Sequence, residues 1–349
     1  MKINPAVLAA IFASTMYSNA YSHHSSAPHF DRDTEVVVTG VVTELKFVNP
    51  HAYIYFDAEQ DGALVNWRCE LSSASALGRR GWTEISFAAG QQITVNGAPA
   101  WREDNVCFLN QMTLSDGTVV QRNSDLTEMQ DVVAANTIPQ QERANFLASG
   151  QSNIEGAWVT RSFGGRSEGI RARFTATAAG EEAVGDYDMA FDDPILRCHP
   201  VNIFNGWNHD RHINDISVEG DLITIQYGFM DFVRTVYLGM SEHPENVQPS
   251  TGGHSIGKWE GDTLVVDTVG FEEGVLSHQS GMKHSSQMQV VERFHIDAET
   301  GYLLRDYDVK DPLYLIGEVS GQDLMSPSNA PYSPYNCVEL SGENNIRQE

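Results

Sequence analysis

The chain has 349 residues, of which 41% are hydrophobic and 20% are charged, and its formal net charge is -25. This length suits two domains, each large enough to hold a core of its own. The strong negative charge argues against nucleic acid and anionic membranes as partners, because both carry dense negative charge themselves. The composition is otherwise that of a globular protein, and it does not indicate an oligomeric state.

The N-terminus has the pattern of a targeting segment. Lys2 supplies the positive start, Ala6–Met16 is a short apolar run, and small residues typical of a cleavage site follow. Cleavage before Tyr21 and cleavage before His23 fit equally well, and an uncleaved N-terminal anchor is the alternative. We therefore expect residues 1–22 to be a signal peptide and the mature protein to be periplasmic or secreted. No later stretch is long enough for membrane insertion.

The cysteine count fits an oxidising compartment. An even number of cysteines in an exported chain favours disulfides, and four cysteines allow three connectivities. We predict Cys69–Cys107 and Cys198–Cys337, because each pair then falls within one proposed domain. Four buried free thiols are the alternative.

Two adjacent histidines near the N-terminus indicate a possible copper site. If cleavage falls before His23, its free amine and imidazole could chelate copper, with His24 or another histidine completing the site. A polar segment that leads into the first strand is the alternative, and a mature start at Tyr21 would remove the chelate.

Residues 23–123 have the element order of an OB-like, five-stranded β-barrel domain. Three strands, a helix and two further strands are typical of that fold. Residues 124–154 are polar and predict a connector that is partly helical, with helices at 126–135 and 140–148. The predicted strands are Glu35–Phe47, Ala52–Phe56, Leu64–Leu71, Gln92–Asn96 and Val106–Leu114, and the predicted helix is Ser72–Gly81.

Residues 155–349 predict a second β-barrel. The segment Gly156-Ala157-Trp158 resembles the Gly-x-Trp signature of lipocalins and the wider calycin group. One helical stretch, Ala178–Met189, interrupts a series of strands separated by turn residues, which favours an antiparallel calycin- or lipocalin-like barrel. The strands are Leu222–Phe229, Phe232–Leu238, Ser255–Trp259, Thr263–Phe271, Met288–Ile296 and Tyr302–Val309.

The stretch 252–271, GGHSIGKWEGDTLVVDTVGF, predicts a hairpin that turns at Glu260–Asp262. Alternation along the returning strand places Val265, Asp267, Val269 and Phe271 on one face, which we predict to face inward. A carboxylate among apolar side chains is costly unless it is paired. We therefore predict that Asp267 is largely buried and is paired with Arg234 or a histidine.

Motifs along the chain resemble an uncharacterised bacterial exported family, with an N-terminal OB-like domain followed by a lipocalin- or calycin-like domain. The resemblance implies this two-domain architecture and brings no assigned reaction. Relatives read Gly-x-Pro-Arg where this chain has Val201-Asn202-Ile203-Phe204, so a role for that arginine does not carry over. The motifs are His23-His24-Ser25, Asn49-Pro50-His51-Ala52, Arg79-Arg80-Gly81-Trp82, Asp193-Pro194-x-Leu196-x-Cys198, Gly253-His254-Ser255-Ile256-Gly257 through Gly270-Phe271, His284-Ser285, Val291-Glu292-Arg293 and Asp311-Pro312.

Three charged residues lie on strand faces that are otherwise apolar: Asp267, Glu292 and Arg234. If these faces line the barrel, the carboxylates share an interior of low dielectric that can raise a pKa and create a general acid or base. A structural ion-pair cluster is the alternative. His254 and His284 are candidate proton carriers beside them.

Further polar and aromatic residues are candidates for binding. The loop at His209, Asp210 and His212 is either a metal site or a solvated loop. The predicted ligand-binding residues are Trp158, Tyr227, Tyr237, Trp259 and His278. The aromatic ones can equally fill a core.

The sequence thus indicates an exported soluble protein whose C-terminal barrel binds a small apolar or amphipathic molecule. Catalysis without a cofactor, of the isomerase, cyclase, lyase or hydrolase type, would use the candidate acids and bases. A periplasmic copper protein and a carrier without catalysis are the alternatives. Motifs typical of serine hydrolases, nucleotide binding and dinucleotide binding are missing from the sequence.

Overall fold

The computed structural model describes residues 29–126, 150–160, 173–207, 212–328 and 332–339, and the backbone alone of 162–163, 166–167, 169–170 and 208. The predicted signal peptide, both N-terminal histidines and the predicted connector helices lie outside these ranges, apart from Leu126. No helix within them is long and apolar enough to cross a membrane. Two closed β-barrels, a smaller one followed by a larger one, make up most of the described chain.

The first barrel has the predicted OB-like order, with one additional short strand. Its sheet runs β3-β2-β1-β4-β5-β6, and a parallel pairing of β3 with β5 closes it. The strand β1 is long enough to pair with β2 through residues 41–46 and with β4 through residues 36–41. The elements are β1 Val36–Lys46, β2 Tyr53–Gln60, β3 Ala63–Glu70, α1 Ala74–Gly78, β4 Gln92–Pro99, β5 Val106–Leu114 and β6 Val119–Gln121.

The predicted disulfide Cys69–Cys107 is present at the point where the first barrel closes. The two cysteines are register partners on β3 and β5, with a Cα–Cα distance of 4.4 Å. Both are buried in a core cluster with side chains such as Phe56, Trp82 and Leu109. The disulfide therefore links the two strands whose pairing closes this barrel.

The second barrel is formed by one ten-stranded sheet in the order β10-β20-β19-β18-β15-β14-β13-β12-β11-β7, closed by pairing of β20 with β7. Neighbouring strands are antiparallel as predicted, except β13 and β14, which are parallel. The connection of residues 238–253 accounts for this exception, because it returns the chain to the starting end of β13 before β14 begins. Neither β11 nor β20 was predicted. The strands are β7 Gly156–Thr160, β8 Ser162–Phe163, β9 Arg166–Ser167, β10 Gly169–Ile170, β11 Ile213–Glu219, β12 Leu222–Gln226, β13 Val233–Tyr237, β14 His254–Glu260, β15 Thr263–Val269, β16 Gly274–Ser277, β17 Met282–His284, β18 Gln289–Ile296, β19 Leu303–Lys310 and β20 Glu318–Pro327.

Short helices lie between β10 and β11, where the sequence predicted one helical stretch. They are α2 Ala178–Val184, α3 Met189–Asp192, a 3-10 helix Pro194–Arg197 and α4 Ile203–Asn208. The predicted helix divides because Gly185, which follows α2, adopts a positive φ of 61°. The side chains of Ile203, Phe204 and Trp207 belong to the same buried cluster as the barrel strands. The helix α4 thus contributes directly to the interior of the second barrel.

The last described residues, 332–339, form a segment that we call the C-terminal strap. The predicted disulfide Cys198–Cys337 joins it to the segment before α4, with a Cα–Cα distance of 5.8 Å. Asp231 accepts hydrogen bonds from the backbone N–H groups of Tyr335 and Asn336. On its other side, the strap pairs with the first barrel at Asn49. The strap therefore contacts both barrels.

Candidate functional site

Four strands of the second barrel place charged side chains in its interior. They are Arg234 on β13, Glu292 on β18, Arg305 on β19 and Asp323 on β20, and each is at most 4% exposed. We call these four residues the interior charge cluster. Arg234 and Glu292 both point inward, since each alternates with buried apolar neighbours along its strand.

The guanidinium of Arg234 uses all of its N–H donors. Its Nε donates to Ser255 Oγ at 2.9 Å, and Nη1 donates to Glu292 Oε1 at 3.1 Å and to Tyr227 Oη at 3.3 Å. Its Nη2 donates to Thr268 Oγ1 at 3.1 Å and to Glu292 Oε2. Five N–H groups are the full complement of an arginine. The environment of Arg234 is therefore complete without any further molecule.

The guanidinium of Arg305 is only partly satisfied. Its Nε donates to Glu292 Oε1 at 2.8 Å and its Nη1 donates to Asp323 Oδ2 at 3.0 Å. Its Nη2 is buried and has no hydrogen-bond partner among the described residues. A buried polar atom of this kind requires an explanation, because the large majority of such atoms in native structures are paired.

Aromatic rings surround the guanidinium of Arg305. Its central carbon lies 5.1 Å from the ring centre of Tyr307, 5.4 Å from that of Trp207 and 5.5 Å from that of Phe204. The indole Nε1 of Trp207 is also buried and lacks a partner within the described chain. Two unpaired donors thus belong to side chains that are in contact, inside an aromatic environment.

The electrostatics of the cluster keep its carboxylate ionised. Burial alone would raise the pKa of Glu292, but the charges of Arg234 and Arg305 and their hydrogen bonds outweigh it, so the pKa lies below its usual value. Burial raises the pKa of Tyr227, which therefore stays neutral. Both oxygens of Glu292 already accept hydrogen bonds from arginines. Glu292 is accordingly a poor candidate for a general acid.

Sequence reasoning missed Arg305, Asp323 and Trp207. Arg305 alternates with the buried residues Leu303 and Tyr307 on β19, so the signal that identified Arg234 was also present there. Asp323 lies on β20, whose polar sequence did not predict a strand. Trp207 lies on α4, which was not predicted either.

The prediction that Asp267 is buried is wrong. On β15 the buried residues are Leu264, Val266 and Thr268, whereas the side chain of Asp267 is 35% exposed. Each set of alternate residues on this strand contains two apolar side chains, so periodicity could not decide which set faces inward. The register decides it, because Val266 pairs with the inward Glu292 of β18.

The burial of Phe271 does not contradict this assignment. Gly270 adopts a positive φ of 72°, which interrupts the alternation after β15. Phe271 is therefore buried, although Asp267 and Val269, which have the same parity, are not.

Asp267 does pair with a histidine, but on the outer face of the barrel. His243 Nε2 lies 3.6 Å from Asp267 Oδ2, and His243 Nδ1 lies 2.9 Å from Nδ1 of His254. The ring of Tyr237 stacks on that of His254 with centres 5.1 Å apart. We call His243, His254 and Asp267 the outer histidine cluster.

Two of its members, His254 and Asp267, come from the predicted hairpin, and His243 comes from the connection of residues 238–253. No sequence motif marked His243. Partial burial and the neighbouring His243 lower the pKa of His254. Asp267 also accepts a hydrogen bond from Gln289 Nε2 at 2.9 Å.

The remaining predicted residues do not form one binding wall. Trp158 and Tyr227 lie in the main core cluster, and Trp259 packs at its margin. The indole of Trp158 donates to the Ile154 carbonyl at 2.8 Å. Tyr237 belongs to the outer face.

His278 and His284 contribute to local structure. His278 Nδ1 lies 2.9 Å from Asp193 Oδ2, and Asp193 also caps the 3-10 helix by accepting from the Ile195 N–H. His284 is buried, its ring packs edge-on against Phe271, and burial lowers its pKa. These contacts account for both histidines as structural residues.

Within the described residues, no group of three or more histidine, cysteine, aspartate or glutamate residues is arranged to hold a metal ion. His209 and Asp210 lie outside those residues, and His212 is buried against Phe229 and Tyr335. Burial holds the pKa of His212 well below its ordinary value. The copper site at His23 and His24 also lies outside and stays a prediction. Sequencing the N-terminus of the exported protein tests it, because a start at Tyr21 would exclude the chelate.

Comparison with known proteins gives one family match. Residues 11–107 match a family of unknown function, DUF6152, which covers most of the first barrel. The N-terminal part of the predicted resemblance to an uncharacterised family therefore has support, and the C-terminal motifs are not covered by this match. No curated protein matches the chain in sequence.

Among solved structures, the chain is similar to a secretory abundant heat soluble (SAHS) protein from Ramazzottius varieornatus. The sequence identity is 12%, and the likeness covers 50% of this chain and 95% of that chain with a TM-score of 0.22. These values are too low for the likeness to inform the function of this chain.

Proposed function

We propose that the second barrel binds a small amphipathic molecule in its interior. The observation that carries this proposal is the Nη2 of Arg305, which is buried and has no acceptor among the described residues. Leaving a buried donor unpaired costs about 1–3 kcal/mol. The adjacent Arg234 shows that this interior can satisfy a guanidinium completely, so the open donor of Arg305 is best explained by an acceptor on a ligand.

The surroundings of Arg305 suit the apolar part of such a ligand. Phe204, Trp207 and Tyr307 present aromatic surface around the guanidinium. Apolar walls with a few convergent polar groups are the usual composition of a small-molecule site. We infer a role in holding or carrying a ligand outside the cytoplasm, in the periplasm or after secretion, where the two disulfides would be stable.

Titration with decanol by isothermal calorimetry tests the proposal. We expect saturable binding with one site per chain. The variant Phe204→Leu should weaken binding by about tenfold, since it removes one of the rings beside Arg305. Phe87→Leu is the matched control, because Phe87 is also buried but lies in the core of the first barrel. No saturable binding, or equal weakening by both variants, would contradict an interior site in the second barrel.

A second candidate function is acid–base catalysis at the outer histidine cluster, of the isomerase, cyclase, lyase or hydrolase type. Asp267 Oδ2 lies 3.6 Å from His243 Nε2 without a hydrogen bond, and His243 Nδ1 lies 2.9 Å from Nδ1 of His254. His254 Nε2 then remains as the atom that would accept a proton from a substrate placed beside Tyr237. The hydrogen bond from His243 holds the other ring nitrogen of His254, as a positioned general base requires.

Hydrolysis of 4-nitrophenyl acetate gives a first test of the catalytic candidate. We expect His254→Gln to lower the rate by about a hundredfold, within the range of general-base catalysis. His295→Gln is the control, because His295 lies on β18 of the same barrel near Asp306 and outside the cluster. Since the pKa of His254 is lowered, the rate should stay constant at neutral pH and fall only as the medium becomes acidic. Equal rates for the two variants would exclude a catalytic role for His254.

A further inference from the structure

We infer that the ligand of the second barrel is a neutral molecule whose hydroxyl or carbonyl oxygen accepts hydrogen bonds from Arg305 and Trp207. This inference rests on the proposed function, because it specifies the chemical class of the interior ligand. It assigns the binding contact to Arg305 and Trp207, neither of which the sequence indicated.

The first step concerns the kind of group that is missing. The two orphaned atoms, Arg305 Nη2 and Trp207 Nε1, are both donors, and their side chains are 0% and 1% exposed. The two side chains are neighbours, since the Arg305 guanidinium carbon lies 5.4 Å from the Trp207 ring centre. Neither atom can accept a hydrogen bond in these side chains. The missing partner must therefore be an acceptor, and one oxygen with two lone pairs can serve two donors.

The second step shows that the nearby carboxylates are already occupied. Both oxygens of Glu292 accept from arginine N–H groups. Asp323 accepts from Arg305 through its Oδ2. The hydrogen bonds of Glu292 hold it between Arg234 and Arg305, so it cannot turn to serve Arg305 Nη2 without abandoning Arg234.

The third step concerns the charge of the ligand. The interior charge cluster contains two guanidinium groups and two carboxylates, so its charges balance. A carboxylate or phosphate ligand would add an uncompensated negative charge to a buried site, and an ammonium ligand would add a positive charge facing a guanidinium. Both are strongly unfavourable in a medium of low dielectric. A neutral oxygen acceptor satisfies the donors and leaves the balance unchanged.

A comparison of four compounds with the same unbranched ten-carbon skeleton tests this inference on the wild-type protein by isothermal calorimetry. Decanol and 2-decanone should bind at least about tenfold more tightly than decanoate and decylammonium, which carry a full charge at neutral pH. Tightest binding of decanoate or decylammonium, or equal binding of all four, would overturn the inference and leave the proposed function standing. Failure of all four to bind would instead overturn the proposed function itself.

The variant Trp207→Phe tests the second donor, since it removes Nε1 and keeps an aromatic ring in place. It should weaken binding of 2-decanone by about fivefold to tenfold, the worth of one hydrogen bond. Trp82→Phe in the first barrel is the matched control: Trp82 is also 1% exposed, and its Nε1 donates to the Ser124 carbonyl. Unchanged affinity in Trp207→Phe would remove the indole from the site. Circular dichroism confirms that each variant is folded, and the ranking of headgroups on the wild-type protein does not depend on either variant.

Discussion

Two arginines inside the second barrel are equally buried and differ in their bonding. Arg234 directs its donors to Ser255, Tyr227, Thr268 and Glu292, so it joins strands β13, β14, β15 and β18 from within. Arg305 leaves Nη2 without an acceptor in the part of the chain that the structure describes. This contrast between two residues of the same type separates the structural half of the interior charge cluster from the half that we assign to a ligand.

Replacement of the shared carboxylate tests the structural half. Glu292→Gln leaves two buried guanidinium groups without their common counter-charge, and we expect a loss of roughly 3–5 kcal/mol in the free energy of unfolding. Urea denaturation measures it. The neighbouring Arg293, whose ion pair with Asp308 is partly exposed, provides the control: Arg293→Gln should cost at most about 1 kcal/mol. Similar losses in the two variants would contradict the cooperative role of Glu292.

The lowered pKa of Glu292 also predicts how the stability of the protein changes with pH. Because its folded-state pKa is lowered, its contribution to stability is present above the unfolded-state pKa and is lost as pH falls through the folded-state value. The Glu292→Gln variant should therefore lose less stability than the wild type when both are acidified. Parallel losses on acidification would contradict the lowered pKa.

The outer position of Asp267 predicts a small effect on stability. Asp267→Asn keeps the shape of a partly exposed side chain whose ion-pair partner is a histidine, so the free energy of unfolding should change by less than about 1 kcal/mol. The melting temperature measures this change. A loss as large as that expected for Glu292→Gln would mean that Asp267 is held in a desolvated network after all.

At the scale of elements, the sequence predicts the strand boundaries of the hairpin, but it does not predict which face of the hairpin points inward. The predicted strands differ by only one or two residues from β14 and the end of β15, because the turn residues between them mark the boundary clearly. The inward face was wrong, because Val265 and Val269 are as apolar as Leu264 and Val266. Local sequence contains no information on the register with β18, which fixes the orientation.

The strands β11 and β20 could not be predicted, because they place polar residues at inward positions. Asn214 of β11 is fully buried, where its Nδ2 donates to the Trp207 carbonyl and its Oδ1 accepts from the Gly228 N–H. On β20 the buried positions include Gly321 and Asp323. Asn214 and Asp323 are accommodated by partners on other elements, so the stabilising contacts exist only after folding. The candidate site was missed for the same reason, since it combines α4, β19 and β20.

Gly253, the residue before β14, belongs to the hairpin motif and occupies a position that only glycine fits without strain. Gly253 has a positive φ of 65°, and a Cβ built there would lie 2.7 Å from the Val269 carbonyl oxygen. Gly253→Ala should therefore destabilise the protein by about 1–3 kcal/mol through strain and backbone displacement. Chemical denaturation measures it. Gly78→Ala in α1 is the control, because a Cβ there meets nothing within 4 Å, and we expect it to be neutral or stabilising. An unchanged free energy of unfolding in Gly253→Ala would show that the connection of residues 238–253 can relax to accept the added Cβ.

At the scale of the whole molecule, His212 makes stability depend on pH. It is 4% exposed, and burial, followed by the charge of Arg79 in the first barrel, holds its pKa well below 6.5. Unfolding then takes up a proton as pH falls below 6.5, so stability decreases by up to about 1.4 kcal/mol per pH unit from this group alone. His212→Phe should reduce this acid dependence, and urea denaturation at several pH values measures it. His295→Gln, at a half-buried position, should leave it unchanged. An unaltered slope in His212→Phe would contradict the lowered pKa.

The contact between the C-terminal strap and Asn49 has a consequence for how the chain matures. Asn49 belongs to the first barrel to be synthesised, where its Oδ1 accepts from the N–H and hydroxyl of Ser75. Its Nδ2 donates to the carbonyl of Tyr335, 286 residues later, and its own carbonyl accepts from the Val338 N–H. The strands of the first barrel can pair as soon as Leu114 has emerged from the ribosome, whereas these two hydrogen bonds of Asn49 cannot form until the strap, much later in the chain, has been synthesised. The strap is therefore added to the first barrel after that barrel's own strands have paired.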